Sequence, residues 1–279
     1  MQAKTAVVTG AYGGLGSELC KWIARAGIQL VLVDRNVEKS KAFAAELNRS
    51  YPGIVQDAFG VDLANHSDIK RLASEILAKH SELSFLFNNA GVLTETLQFS
   101  GYGNEMQFEV NTLAPLQLID SLRPALKKAN GAVIVSTSAG LSSRVKELDW
   151  NNLVKPKEFD KLFGPYAKSK QALNVVSAAL APELANDKIV IRTADPGPNK
   201  TRLTKGAGTP LWMRLFYWLL PTPDKGAKKI FETAAQARWK DKTGIFVTNN
   251  KIQALPPALA DRKFQADFLR KCRERAAIV

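Results

Sequence analysis

The chain is poor in the residues that hold metals and form crosslinks. Among 279 residues there are two histidines, two cysteines and three methionines. His66, His80, Cys20 and Cys272 stand in no ligand spacing, and no CxxC, HExxH or P-loop motif occurs. Together these absences argue against a zinc site, a redox dithiol or a P-loop nucleotide site. Unpaired thiols predict a cytoplasmic setting, as does an N-terminus that passes from Met1 almost directly into Thr5-Ala6-Val7-Val8. There is no run of eighteen apolar residues, so no segment reads as a membrane span.

What is present is ordinary globular material, 46% hydrophobic and 23% charged. No repeat, low-complexity tract or Pro/Gly linker divides it, so residues 1–279 read as one domain. The net charge of +13 is uneven. Residues 1–197 hold 22 Lys/Arg against 20 Asp/Glu, whereas residues 198–279 hold 17 against 6. Such a basic third can meet nucleic acid or anionic lipid. It lacks the aromatic interleaving and motifs of a nucleic-acid reader, and a solvated basic surface is the favoured reading, with 249–279 as a basic C-terminal extension.

Apolar β-type runs at 4–9, 28–34, 54–59, 84–88, 131–137, 188–194 and 244–248 alternate with amphipathic stretches at 14–26, 36–49, 66–80, 104–128, 166–185 and 223–239. Strands spaced by single helices predict an α/β fold: a doubly wound, mostly parallel sheet of seven strands with helices on both faces. Segments 139–165 and 198–222 break the alternation and are expected to shape the substrate side.

Two local arrangements carry chemistry. Tyr166 and Lys170 stand four residues apart in a helical stretch, on one face. A nearby ammonium favours the phenolate, which brings a phenol closer to acid–base work at neutral pH. The second is Thr9-Gly10-Ala11-Tyr12-Gly13-Gly14-Leu15-Gly16, which follows a strand and opens a helix. Glycines there permit a tight turn and close approach of a pyrophosphate to the helix N-terminus. Asp34 ends the second strand, where a carboxylate can accept hydrogen bonds from ribose hydroxyls or cap the next helix.

With these residues in view the chain resembles the short-chain dehydrogenases/reductases over about residues 4–202. Thr9–Gly16 is similar to the family's glycine motif, Asp62-Leu63 to its adenine-contacting pair, and Asn88-Asn89-Ala90-Gly91 to its strand-end motif. Asn111 matches the relay asparagine, Ser138, Tyr166 and Lys170 the catalytic set, and Pro196-Gly197 with Thr201 the segment near the nicotinamide. Ser136 shares a strand face with Ser138, and the strand start favours Ser138. Ser138 lies 28 residues before Tyr166. That extra length resembles the retinol-dehydrogenase-like and protochlorophyllide-reductase-like branch, which commonly handles lipophilic carbonyls or alcohols. Asn199 departs from the apolar residue usual between Gly197 and Thr201.

The resemblance implies an NAD(P)-dependent oxidoreductase acting on a small-molecule carbonyl or alcohol. Tyr166 would be the general acid/base, Lys170 would lower its pKa and hold the ribose, Ser138 would hold the carbonyl oxygen, and Asn111 would hold a relay water. Asp34 favours NAD over NADP, against Arg35, which could bind a 2′-phosphate. No metal is expected. The apolar run Leu211–Leu220 reads as a lid, a packed helix or, with the basic third, a peripheral membrane contact. Ala167, Ala172 and Ala178-Ala179 would permit the homodimer or tetramer packing common in the family, and equally packing within one subunit. The alternative class is a non-catalytic dinucleotide-binding regulatory or scaffold protein on the same fold.

Overall fold

Val7, Val31, Leu86, Ile134 and Ile191 face one hydrophobic core, while Ala6, Val8, Leu30, Leu32 and Val135 face another. Alternation of side chains along buried strands produces this division. The computed structural model describes residues 4–200, 209, 218 and 220–276. Its strands are β1 (Thr5–Thr9), β2 (Gln29–Asp34), β3 (Val55–Gly60), β4 (Phe85–Asn88), β5 (Val133–Thr137), β6 (Val190–Ala194), β7 (Ile245–Thr248) and β8 (Lys251–Gln253). They form one sheet in the order β3-β2-β1-β4-β5-β6-β7-β8. All neighbours are parallel except β7 and β8. Strand order reverses between β1 and β4, and a doubly wound sheet opens its crevice at such a point.

The helices are α1 (Gly14–Arg25), α2 (Val37–Ser50), α3 (His66–Lys79), α4 (Met106–Phe108), α5 (Ala114–Lys128), α6 (Trp150–Val154), α7 (Pro165–Ala185), α8 (Pro223–Ala235), α9 (Pro257–Ala260) and α10 (Arg262–Arg275). Apolar faces of α1, α2 and α8 cover one side of the sheet; α3, α5, α7 and α10 supply the other core. Between α4 and α5 the backbone forms a π-helical turn over Glu109–Leu113.

Three expectations need adjusting. The sheet has eight strands rather than seven: β8 is a three-residue, fully exposed antiparallel edge with no apolar alternation to announce it. The stretch 104–128 is interrupted by the π-helical turn. The stretch 223–239 leaves the α-helix at Ala235 and resumes as a 3-10 turn, Ala237–Trp239. Buried Arg192 on β6 accounts for that ending, because it donates to the carbonyls of Thr233, Ala234, Trp239, Lys240 and Lys242. The described part of 249–279 packs on the rest of the chain. Helix α10 buries Phe268, Leu269 and Cys272 against the core, and Arg273 joins Asp120 on α5 to Glu183 on α7.

Segment 139–165 is anchored from the same direction. Trp150 packs edge-on between Phe108 and Phe268, with ring centroids 5.9 and 5.8 Å away. Ala172, one of the small residues considered for subunit packing, is fully buried within this chain. Thr201 and most of Leu211–Leu220 lie outside the described residues, although Trp218 is described and 68% exposed. No described helix is long and apolar enough to cross a membrane.

Because Phe268 ties α10 to Trp150 and stacks on Phe264 of its own helix, Phe268→Ala should destabilise the fold by about 3–4 kcal/mol. Urea unfolding of the variant against wild type checks this.

Candidate active site

The glycine turn is shaped by hydrogen bonds as much as by glycine. Gly10 has φ of +67°, where an L side chain is strained. A Cβ on Gly16 would lie 1.9 Å from the Gly10 carbonyl oxygen, so only glycine lets α1 start this close to β1. Tyr12 N donates to Asp34 Oδ1 at 3.3 Å, and Ser40 Oγ to Asp34 Oδ2 at 2.6 Å. Asp34 therefore holds the turn while Asn36 caps α2. Burial pushes the Asp34 carboxyl above its ordinary value. Arg35 beside it is exposed.

Helix α1 differs from α2 and α3 at its start. Asn36 and Asn65 cap those helices with side-chain hydrogen bonds, whereas Gly13 gives α1 no such cap. Its first turn, which includes Gly14, Leu15 and Gly16, carries no acidic residue. Uncapped N–H groups and the helix dipole favour an anion there.

Across the switch point, Thr9 Oγ1 accepts from Asn89 N and Ala90 N, both at 3.0 Å. Asn89 Nδ2 donates back to Thr9 O and Gly10 O. Asp62 and Leu63 follow the end of β3. Asp62 is exposed, with its Oδ1 accepting from Ala64 N at 2.9 Å, and Leu63 packs on the core.

Asn111, Lys170 and Gly91 meet at the ends of β4 and β5. A Cβ on Gly91 would lie 3.1 Å from Asn111 Oδ1 and 3.3 Å from Lys170 Nζ. The Asn111 amide pairs with the Val92 backbone, accepting from N at 2.8 Å and donating to O at 3.0 Å. Lys170 Nζ donates to Thr137 O at 2.7 Å, and Ser138 Oγ to Lys170 O at 3.4 Å. Ser136, by contrast, accepts from Asn88 Nδ2. Tyr166, one turn before Lys170, is buried with Ala139 and Leu162 and packed by Leu93 and Leu141.

Burial lowers Lys170 from 10.5 to about 7. It also raises the Tyr166 phenol well above its ordinary value, and the Asp195 carboxylate adds to that rise. The lowering of Tyr166 expected from Lys170 is thus not what its surroundings produce: both causes of its shift act upward. Asp195 was not singled out from the sequence, although an acidic residue directly before Pro196-Gly197 is a visible signal. Its Oδ1 accepts from Gly197 N and its Oδ2 from Thr248 Oγ1, both at 2.8 Å. Asn199, the departure noted above, donates to the carbonyls of Pro196 and Gly197 and so braces the same turn.

A family model described as short chain dehydrogenase matches residues 4–150. The chain belongs to that family. Retinol dehydrogenase 11 of Mus musculus is 29% identical over 229 residues, covering 82% of this chain and 72% of that protein. Polyprenol dehydrogenase of Homo sapiens is 26% identical over 287 residues, covering 99% and 86%. A solved 3-ketoacyl-(acyl-carrier-protein) reductase from Brucella melitensis, complexed with NADH, shares the fold. Its TM-score is 0.68 at 23% identity, with 88% of this chain and 96% of that chain covered. Among short-chain dehydrogenases the chain sits in the retinol-dehydrogenase-like branch, as the long interval from Ser138 to Tyr166 implied.

The buried Lys170 makes stability depend on pH. Between about 7 and 10.5 the unfolded chain binds a proton that the folded chain has released, so folding stability rises with pH across that window. Below about 7 both states are protonated and the contribution is at its minimum. Lys170→Met removes this titration. The thermal midpoint of wild type relative to the variant should therefore increase from about pH 6.5 to about pH 9.5.

Proposed function

We propose that this protein is an NAD(P)-dependent oxidoreductase acting on the C–OH or C=O group of a lipophilic substrate, with Tyr166 as general acid/base. The observation that carries the reading is the meeting of Asn111 and Lys170 beside Gly91, with Ser138 and Tyr166 on the same helix–strand junction. A non-catalytic cofactor-binding protein would need no such set.

The residues present fit a dinucleotide. The Gly10–Gly16 turn admits no Cβ at Gly16, and the start of α1 offers free N–H groups for phosphate. Asp62, Leu63, Asn89, Ala90 and Gly91 would line the adenine and ribose side, and Pro196 and Gly197 the nicotinamide side. When bound, the nicotinamide supplies or accepts the hydride. Tyr166 Oη would give a proton to the substrate oxygen in reduction, and take it in oxidation. Ser138 Oγ would hold that oxygen and stabilise its developing charge. Lys170 Nζ, near neutral in its buried state, would orient a ribose hydroxyl and move a proton toward Tyr166, with a water on Asn111 leading to solvent.

An apolar substrate suits the wall around Tyr166, where Leu93, Ala139, Leu141 and Leu162 gather. Retinol and polyprenol, named for two relatives, are alcohols of this kind. For the cofactor we favour NAD, because the Asp34 carboxylate at the end of β2 disfavours a 2′-phosphate.

Tyr166→Phe should lose at least about a thousandfold in kcat with a hydrophobic alcohol or aldehyde, while still binding cofactor. Unchanged turnover in that variant would remove the mechanism. Fluorescence titration should show NADH binding more tightly than NADPH; the opposite order would assign the exposed Arg35 to a 2′-phosphate.

A further inference from the structure

We infer that Glu109 and Arg275 are positioning residues that hold the π-helical turn, and through it Asn111, in register with Lys170. The inference rests on the relay role proposed for Asn111. A π-helical turn carries an extra residue that an unconstrained helix does not retain, so it persists where its surroundings over-determine it. Here it is held at its middle and at its start. The inner side is Asn111, paired with both polar atoms of the Val92 backbone and with Ser169 Oγ. The outer end is Glu109, fully buried at the first position of the turn.

Glu109 is held by three side chains from outside its own helix. Its Oε2 accepts from Ser100 Oγ at 2.8 Å and Asn104 Nδ2 at 2.7 Å, and its Oε1 lies 2.8 Å from His66 Nε2. An acceptor-only carboxylate calls for the His66 tautomer with hydrogen on Nε2. The His66 ring stacks on Tyr102 at 3.8 Å between centroids. Asn104 is oriented in turn by α10, because Arg275 Nε donates to Asn104 Oδ1 and leaves Nδ2 to point at Glu109. Arg275 Nη2 adds bonds to the carbonyls of Tyr102 and Gly103. Loop 99–105 is thus clamped between the last helix and the π-helical turn.

The side chains of Arg275, Asn104 and Glu109 bond to loop 99–105, His66 and one another, and reach the proposed reaction centre through Asn111. Loosening it should let the turn relax toward α geometry and withdraw the amide from Val92. The order of action is Arg275, Asn104, Glu109, then Asn111.

The test uses the full chain. Arg275→Ala should lower kcat about tenfold with KM changed less than about twofold. Hydrogen exchange at the Val92 amide should accelerate about tenfold, with β5 amides unchanged. In an Asn111→Ala background, adding Arg275→Ala should cause no further loss of kcat, because both act through one group. Glu109→Gln should reproduce both readouts and carries the test if Arg275→Ala does not fold. Multiplicative losses in the two backgrounds, or unchanged Val92 exchange in a folded variant, would overturn the inference. Absence of turnover in wild type would instead remove the proposed oxidoreduction, and the exchange measurement would still decide whether the clamp exists.

Discussion

The hydrogen bond from Lys170 Nζ to the Thr137 carbonyl ties the longest described helix to the tip of a central strand. Lys170 is only 3% exposed, so its amine depends on that carbonyl for polar company. Everything near the proposed reaction centre takes its place from this bond. Ser138 follows Thr137 directly and donates back to the Lys170 carbonyl, which closes a reciprocal link between α7 and the end of β5. A side chain on Gly91 would press on Lys170 and Asn111, which fill the space beside it.

The electrostatics of the site arise from burial rather than from ion pairing. The same low-dielectric surroundings lower Lys170 and raise Tyr166, which drives two neighbouring groups toward their neutral forms. Asp195 is the anionic contributor to the Tyr166 shift, and it is tied to the turn at Gly197 and to β7 through Thr248. The backbone path of the Pro196-Gly197 segment and the proton affinity of the phenol are therefore linked through one carboxylate.

Much of this was legible in the amino-acid order. Strands such as Thr5–Thr9 and Val133–Thr137 are short apolar runs ended by turn residues, and their helices carry clear apolar faces. Gly10–Gly16 and Tyr166/Lys170 stood out through local spacing, and Asn111 and Ser138 through the family resemblance. What was missed depends on distant partners. Lys251–Gln253 is a strand only because β7 lies beside it. Glu109 looks like a surface residue on a helix until Ser100, Asn104 and His66 are folded against it. The rise in Tyr166 required knowing that the phenol is buried and that Asp195, 29 positions away in the chain, comes near.

The clamp around the π-helical turn is also a constraint in time. Arg275 and Asn104 are 171 positions apart, so a ribosome must deliver nearly the whole described chain before that contact can form. Strands β1 to β6 and the glycine turn come out much earlier and can fold among themselves. During synthesis, the molecule would pass through a stage with its dinucleotide cradle assembled and its Asn111 turn still unsecured.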